Sequence, residues 1–310
     1  MTAFDTVAIV GAGLVGQGWA IVFARAGKTV RIFDARDDAE AQIRPQIVAA
    51  LAEMEAAGLC DAPDDWLARM SFAKTLGDAV GAADYVQEST FERIDVKREI
   101  SAAISAVLPE HAICGSSTSG FPGSAFLDHC DNRARMLVMH PVNPPHLVPI
   151  VEIVPTPWTD PAVPVRARAL MEEVGQSPVS LDREIPGFVL NRLQGALLDE
   201  AFALLAEGYA SAEDIDRTVR DGLGLRWAFM GPFETIDLNA PKGLADYAER
   251  LGPMFAGFAE QRQADRDWRP EAVARADAER REALPETGLA DRRNWRDAML
   301  MAILRAKQQG

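Results

Sequence analysis

The stretch Val7-Ala-Ile-Val-Gly11-Ala-Gly13-Leu-Val-Gly16 constrains this chain more than any other. Val7 to Val10 is a short apolar run of the kind buried in a parallel strand. Gly11, Gly13 and Gly16 follow with G-x-G-x-x-G spacing, and Trp19-Ala-Ile-Val-Phe-Ala-Arg25 continues as a helix. In that order Gly11 permits a tight turn, Gly13 lets the backbone approach a pyrophosphate, and Gly16 lets the helix pack close to the strand. The helix N-terminus then presents unsatisfied N–H groups to the phosphates. A second apolar run, Val30-Arg-Ile-Phe33, ends on Asp34, 21 residues after Gly13. An acid there accepts from a ribose 2′-hydroxyl and repels a 2′-phosphate, which points to NAD. Arg36 lies close enough to keep NADP open. The competing reading is an ordinary Gly-rich turn, with Asp34 capping the next helix.

Further along, strand-like runs at 71–75, 84–88, 112–115, 135–139 and 147–154 are interleaved with helical patterns at 37–58, 92–107 and 163–174. Such alternation predicts βαβ units and a parallel, doubly wound α/β sheet. From Gly187 onward the pattern is helical only: Phe188–Gly208, a helix opened by Ser211 and broken at Gly222-Leu-Gly, then Glu234–Leu251, Met254–Trp268, Pro270–Glu282 and Trp295–Gln308. The expected division is therefore a nucleotide-binding domain over 1–185 and an all-helical domain over 186–310 carrying substrate and dimer contacts.

A chain of 310 residues, 48% hydrophobic and 25% charged, has the composition of a large globular core. Its net charge of −14 argues against nucleic acid or an anionic membrane as partner. The apolar runs are too short to span a bilayer, and the first residues do not read as a signal peptide. Cys60, Cys114 and Cys130 have neither metal nor redox spacing, so reduced thiols, a cytoplasmic location and no metal site are expected.

Several polar residues stand where chemistry could use them. Glu152 lies inside the apolar run Leu147-Val-Pro-Ile-Val-Glu-Ile-Val154, and a buried carboxylate needs a donor. His140, closing the strand upstream, is the natural one. A His held by a carboxylate is an oriented base, although structural His–Glu pairs have the same composition. Ser116-Ser-Thr-Ser119 follows a sheet strand at the end where such sheets bind ligands; it is either a hydroxyl-bearing site loop or a Ser-rich turn. Asn143 is a turn residue or a polar reader of the site. Asn191 is a local cap or a site residue. Arg226, among apolar neighbours, wants a carboxylate from the protein or from a substrate.

Taken together, Ile9-Val-Gly-Ala-Gly-Leu-Val-Gly16, Ser116–Ser119, His140-Pro-Val-Asn-Pro-Pro145, Val151-Glu-Ile-Val-Pro155, Gly187-Phe-Val-Leu-Asn-Arg192 and Gly231-Pro-Phe-Glu-Thr235 resemble the 3-hydroxyacyl-CoA dehydrogenase superfamily over nearly the whole chain. Within it the chain is most similar to the L-gulonate 3-dehydrogenase and lambda-crystallin branch. The resemblance implies an NAD-dependent enzyme acting by hydride transfer. It makes His140 the catalytic base with Glu152 as its partner, Ser119 and Asn191 the substrate-side residues, and Asn143 a cofactor contact. Asp34, Glu92, Lys97 and the loop Gly11 to Gly16, including Leu14 and Val15, become further cofactor contacts. A homodimer is also implied.

Acyl-CoA members carry a lysine-rich segment after the second strand that meets the CoA tail. Here residues 37–70 hold eight acids against only Arg44 and Arg69, which disfavours a multiply charged CoA. The Leu225-Arg-Trp227 stretch is similar to that of gulonate and carnitine dehydrogenases, and makes Arg226 a candidate for holding a substrate carboxylate. The reading is oxidation of a small free 3-hydroxy acid. The alternatives are carnitine, a short-chain 3-hydroxyacyl-CoA such as 3-hydroxybutyryl-CoA, and a crystallin-like structural protein that binds NAD.

Overall fold

The computed structural model of the protein describes residues 4–261 and 270–308. Its sheet is built from β1 (Thr6–Val10), β2 (Thr29–Phe33), β3 (Met70–Phe72), β4 (Tyr85–Glu88), β5 (Ile113–Ser116), β6 (Met136–Pro141), β7 (Ile150–Val154) and β8 (Ser177–Ser180). The strand order is β3-β2-β1-β4-β5-β6-β7-β8. The helices within this region are α1 (Leu14–Arg25), α2 (Ala39–Ala56), α3 (Pro63–Ala68), α4 (Leu76–Val80), α5 (Ile94–Val107) and α6 (Ala162–Glu173).

Two apolar clusters cover the two faces. Val7 and Ile9 of β1 join Trp19, Phe23, Ile43 and Ile47 on one. Ala8 and Val10 join Val86, Ile104 and Phe126 on the other. The period of two along β1 thus divides its side chains between faces, as a doubly wound sheet requires. Strand order reverses between β1 and β4, so the crevice at their carboxyl ends is the place for a ligand.

One pairing departs from the parallel expectation. Strands β6 and β7 are antiparallel, with His140 paired to Glu152. The cause is the connection. Pro141, Pro144, Pro145 and Pro149 lie at or between the strand ends and prevent the helix that a parallel crossover needs. The Asn143–Pro144 bond in this turn is cis.

The helices that follow are α7 (Leu190–Ala206), α8 (Ala212–Arg217), α9 (Gly224–Trp227), α10 (Pro232–Leu238), α11 (Leu244–Gln261), α12 (Pro270–Ala283) and α13 (Leu289–Gln308). The chain divides into two compact units: residues up to Asn191 with those from Arg293 onward, and Arg192–Arg292. The last part of α13 therefore groups with the sheet instead of with the helices beside it in sequence. Its Met301 is buried in the core, with Leu300 and Leu304 packed against that cluster.

The second unit shows where helix ends were legible. Gly208 sits at φ +77° after α7, and Ser211 accepts the Asp214 amide at 3.1 Å to cap α8. Three expectations fail there. Helical backbone runs on from α8 through a π turn at Thr218–Leu223 into α9, so Gly222 does not break it. Gly costs only about 1 kcal/mol in a helix, too little to end one by itself. The predicted helix Glu234–Leu251 is interrupted between α10 and α11, where Pro241 and Gly243 (φ +81°) intervene. Helix α11 in turn continues through Pro253. The predicted helix Met254–Trp268 lies partly outside the described residues.

Candidate active site

The glycines behave as their spacing demands. A Cβ on Gly16 would lie 2.0 Å from the Gly11 carbonyl oxygen. One on Gly11, itself at φ +90°, would lie 2.7 Å from the Ser89 carbonyl oxygen. Gly13 has open space where its Cβ would be, which leaves room for a close approach. Leu14 and Val15 open α1, whose first turn holds no acid; the Leu14 side chain is exposed and Val15 packs against the core. These features fit a dinucleotide pyrophosphate on the helix N-terminus.

Asp34, at the end of β2, accepts the Ala12 amide at 2.9 Å and the Arg36 guanidinium at 2.8 Å. Burial pushes its carboxyl up, but the Arg36 and backbone hydrogen bonds outweigh that and hold it below the usual carboxylate range. An ionised acid stands beside the loop, suited to a ribose diol. Arg36 is turned onto that acid, so its charge is already matched.

His140 and Glu152 face each other across the antiparallel pair. His140 Nδ1 lies 2.8 Å from Glu152 Oε2, with both side chains buried. An ionised carboxylate only accepts, so Nδ1 carries a proton, and in the neutral imidazole Nε2 is then the acceptor. Glu152 Oε1 accepts the Val189 and Leu190 amides at 2.8 and 2.9 Å. Burial pushes the Glu152 carboxyl up; the His140 bond and these two amides prevail and leave it lowered.

The amides are aimed by Gly187 (φ +74°) and Phe188 (φ +51°), consecutive left-handed residues. Phe188 is a non-glycine outlier at this position, fully buried, with its ring 5.4 Å from the imidazole. Sequence reasoning did not find this wall or the two amides. The only signal was Gly187.

Ser119 is held by its backbone. Its amide donates to Glu92 Oε1 at 2.8 Å, and its carbonyl accepts from Asn191 Nδ2 at 2.7 Å. Thr118 Oγ1 and the Gly120 amide donate to the same Glu92 oxygen. Expected as a cofactor contact, Glu92 here straps the serine loop. Lys97, expected likewise, is buried, with its Nζ 2.9 and 3.0 Å from the two carboxylate oxygens of Glu88. Glu88 was missed, although it closes an apolar strand much as Glu152 interrupts one.

Asn143 is exposed in the proline turn and shares the lining of a 370 Å³ cavity with Leu14, Gln17, Gln46 and His146. Arg226 stands on α9 in the other unit; its carbonyl accepts the Phe229 and Met230 amides, and its guanidinium has no hydrogen bond or ion pair among the described residues. The structure thus groups His140, Glu152, Ser119, Asn191 and Glu92 in the first unit; Arg226 belongs to the second.

Residues 6–185 match the NAD-binding domain of 3-hydroxyacyl-CoA dehydrogenase, and residues 187–283 match its C-terminal domain. The chain belongs to the 3-hydroxyacyl-CoA dehydrogenase family. It is 39% identical to a lambda-crystallin homolog of Bos taurus, covering 98% of this chain and 96% of that one. It is 37% identical to an L-carnitine dehydrogenase of Streptomyces griseus, over 97% and 89%. Among solved structures it is similar to 5-formyl-3-hydroxy-2-methylpyridine 4-carboxylic acid 5-dehydrogenase, an NAD-dependent dismutase. That match has a TM-score of 0.82 at 28% identity and covers 98% of each chain. The sheet domain binds NAD, and the protein is an NAD-dependent oxidoreductase of this family.

Proposed function

We propose that the protein oxidises the 3-hydroxyl of a small free 3-hydroxy acid, with L-gulonate the leading candidate. The observation that carries this reading is the buried 2.8 Å bond between His140 Nδ1 and Glu152 Oε2. NAD, when bound, supplies the hydride acceptor for C3. His140 Nε2 takes the proton of the 3-hydroxyl. Glu152 fixes the tautomer and stabilises the imidazolium that forms, as a buried acceptor does best. Ser119 and Asn191, already tied to each other, orient the 3-oxygen. Asn143, Glu92 and Lys97 serve as cofactor contacts. Arg226 binds the substrate carboxylate.

A free acid is favoured over a CoA ester by the acids of residues 37–70. Of the two cations there, Arg44 pairs with Glu40, and Arg69 donates to the Gly27 carbonyl. The likeness to L-carnitine dehydrogenase supports carnitine as a second reading, with Trp227, Phe229 and Phe233 exposed near Arg226 in sequence to meet a quaternary ammonium. Apolar residues left exposed on the helical unit, Leu193, Phe233 and Leu238 among them, support a homodimer. Free, buried cysteines support a cytoplasmic location.

His140→Gln tests the chemistry. Its expected result is NAD affinity retained and kcat lowered by several orders of magnitude; a loss under tenfold would place the base elsewhere.

A further inference from the structure

Ser89 follows β4 and packs against the glycine loop: a Cβ on Gly11 would lie 2.7 Å from the Ser89 carbonyl oxygen. Ser89 Oγ lies 2.8 Å from Ser117 Oγ, at the root of the serine loop. Which hydroxyl donates is fixed by the groups behind them. Gln87 is fully buried on β4, with Nε2 2.7 Å from Ser117 Oγ and 3.3 Å from the Met139 carbonyl oxygen. It reaches that carbonyl on β6 past Gly115, its register partner on β5, where a Cβ would lie 2.4 Å from the Tyr85 hydroxyl and from Met139 Cγ. A carbonyl only accepts, so the amide nitrogen of Gln87 faces Met139 and Ser117, and its oxygen accepts the Tyr85 hydroxyl. Trp19 Nε1, which only donates, lies 3.2 Å from Ser117 Oγ. Two donors thus fill both lone pairs of Ser117 Oγ, and its own proton goes to Ser89 Oγ. The Ser89 proton is then left uncommitted among the described residues, on a side chain that is half-buried.

We propose that Ser89 is a cofactor-binding residue, donating its hydroxyl proton to an oxygen of the ribose on the nicotinamide side of NAD. The strand order gives the direction. Asp34, suited to the adenosine ribose, follows β2; the glycine loop, suited to the pyrophosphate, follows β1; and His140, the proposed base, lies on β6. A dinucleotide laid across these carboxyl ends toward His140 passes β4 directly after the glycine loop. The group that follows the pyrophosphate is the second ribose, and Ser89 leaves β4 at that point. Gln87, Trp19 and Ser117 turn the free proton outward by taking every other arrangement away. The inference rests on NAD binding with Asp34 and the glycine loop on the adenosine side, and not on which acid is the substrate.

The test is Ser89→Ala, read by the melting temperature of the free protein and by titration with NAD, ADP-ribose and ADP. ADP-ribose carries the second ribose, and ADP ends at the pyrophosphate. The expected result is a folded variant whose Kd rises about 3- to 10-fold for NAD and for ADP-ribose, the worth of one neutral hydrogen bond, and stays within twofold for ADP. A rise below threefold for NAD overturns the proposal. An equal rise for all three ligands also overturns it, because Ser89 would then only support the glycine loop. A rise for NAD without one for ADP-ribose overturns the ribose contact in favour of the nicotinamide. If Ser89→Ala does not fold, Ser89→Cys, which puts a weak donor in much the same volume, decides on the same readouts. The titrations need no turnover, so their result stands apart from the identity of the substrate.

Discussion

Replacing Glu152 by Gln changes one atom's chemistry and leaves the shape alone, so the outcome follows from the hydrogen bonds. Glu152 uses Oε2 for His140 Nδ1 and Oε1 for the Val189 and Leu190 amides. A glutamine has one carbonyl oxygen and must choose. With its oxygen toward His140, its NH2 confronts two part-buried amide donors, and orphaning both N–H groups costs up to about 1–3 kcal/mol each. With its oxygen toward the amides, both backbone bonds survive and its NH2 faces Nδ1. The cost is then the charge assistance of one bond, about 1–2 kcal/mol. The second arrangement wins. It forces the proton from Nδ1 to Nε2, so the imidazole can no longer accept at the atom that faces substrate. The expected variant is folded, binds NAD with unchanged Kd, and loses about 10,000-fold in kcat, as a wrong tautomer costs. Circular dichroism, NAD titration and initial rates of NADH formation check these in turn. A folded variant with less than a tenfold loss would refute the tautomer reasoning.

Two other measurements bear on separate parts of the molecule. Arg226→Met should raise KM for the acid by about 10- to 100-fold, the worth of a charge-assisted hydrogen bond of about 1.5–3 kcal/mol, and an unchanged KM would remove Arg226 from the substrate. Burial, then the charge of Arg25, lowers the His146 pKa to about 4, with Asp297 opposing. The unfolded chain therefore takes up a proton near pH 6.5 that the folded chain refuses, and stability falls as pH drops from about 6.5 toward 4. In urea unfolding, the stability of His146→Leu relative to the unaltered chain should rise across that window. A gap that stays constant would show that His146 does not titrate this way.

The sequence revealed the parts of the site that are set by local rules. Gly11, Gly13, Gly16 and Asp34 are legible because turn geometry and close packing admit few other residues. His140 and Glu152 are legible because charge inside an apolar strand demands a partner. What was not legible depends on pairing distant in the chain. Nothing local says that β6 and β7 run antiparallel, although four prolines around their connection, weighed against a helical crossover, would have suggested it. The left-handed turn at Gly187 and Phe188, which supplies the other two partners of Glu152, has a non-glycine half that no propensity favours. Lys97 was legible only as a cofactor contact implied by the family resemblance; no local rule pairs it, buried, with Glu88. In the helical unit, helical backbone runs on through single Gly and Pro residues, as at Gly222 and Pro253, so neither residue alone marks an end.

The central claim is the oxidation of a free 3-hydroxy acid by NAD. NADH formation, followed by absorbance, would be measured with L-gulonate, L-carnitine, 3-hydroxybutyrate and 3-hydroxybutyryl-CoA, each with NAD and with NADP. The account predicts turnover of a free acid, L-gulonate foremost, with NAD and little with NADP. Turnover of the CoA ester alone would contradict it.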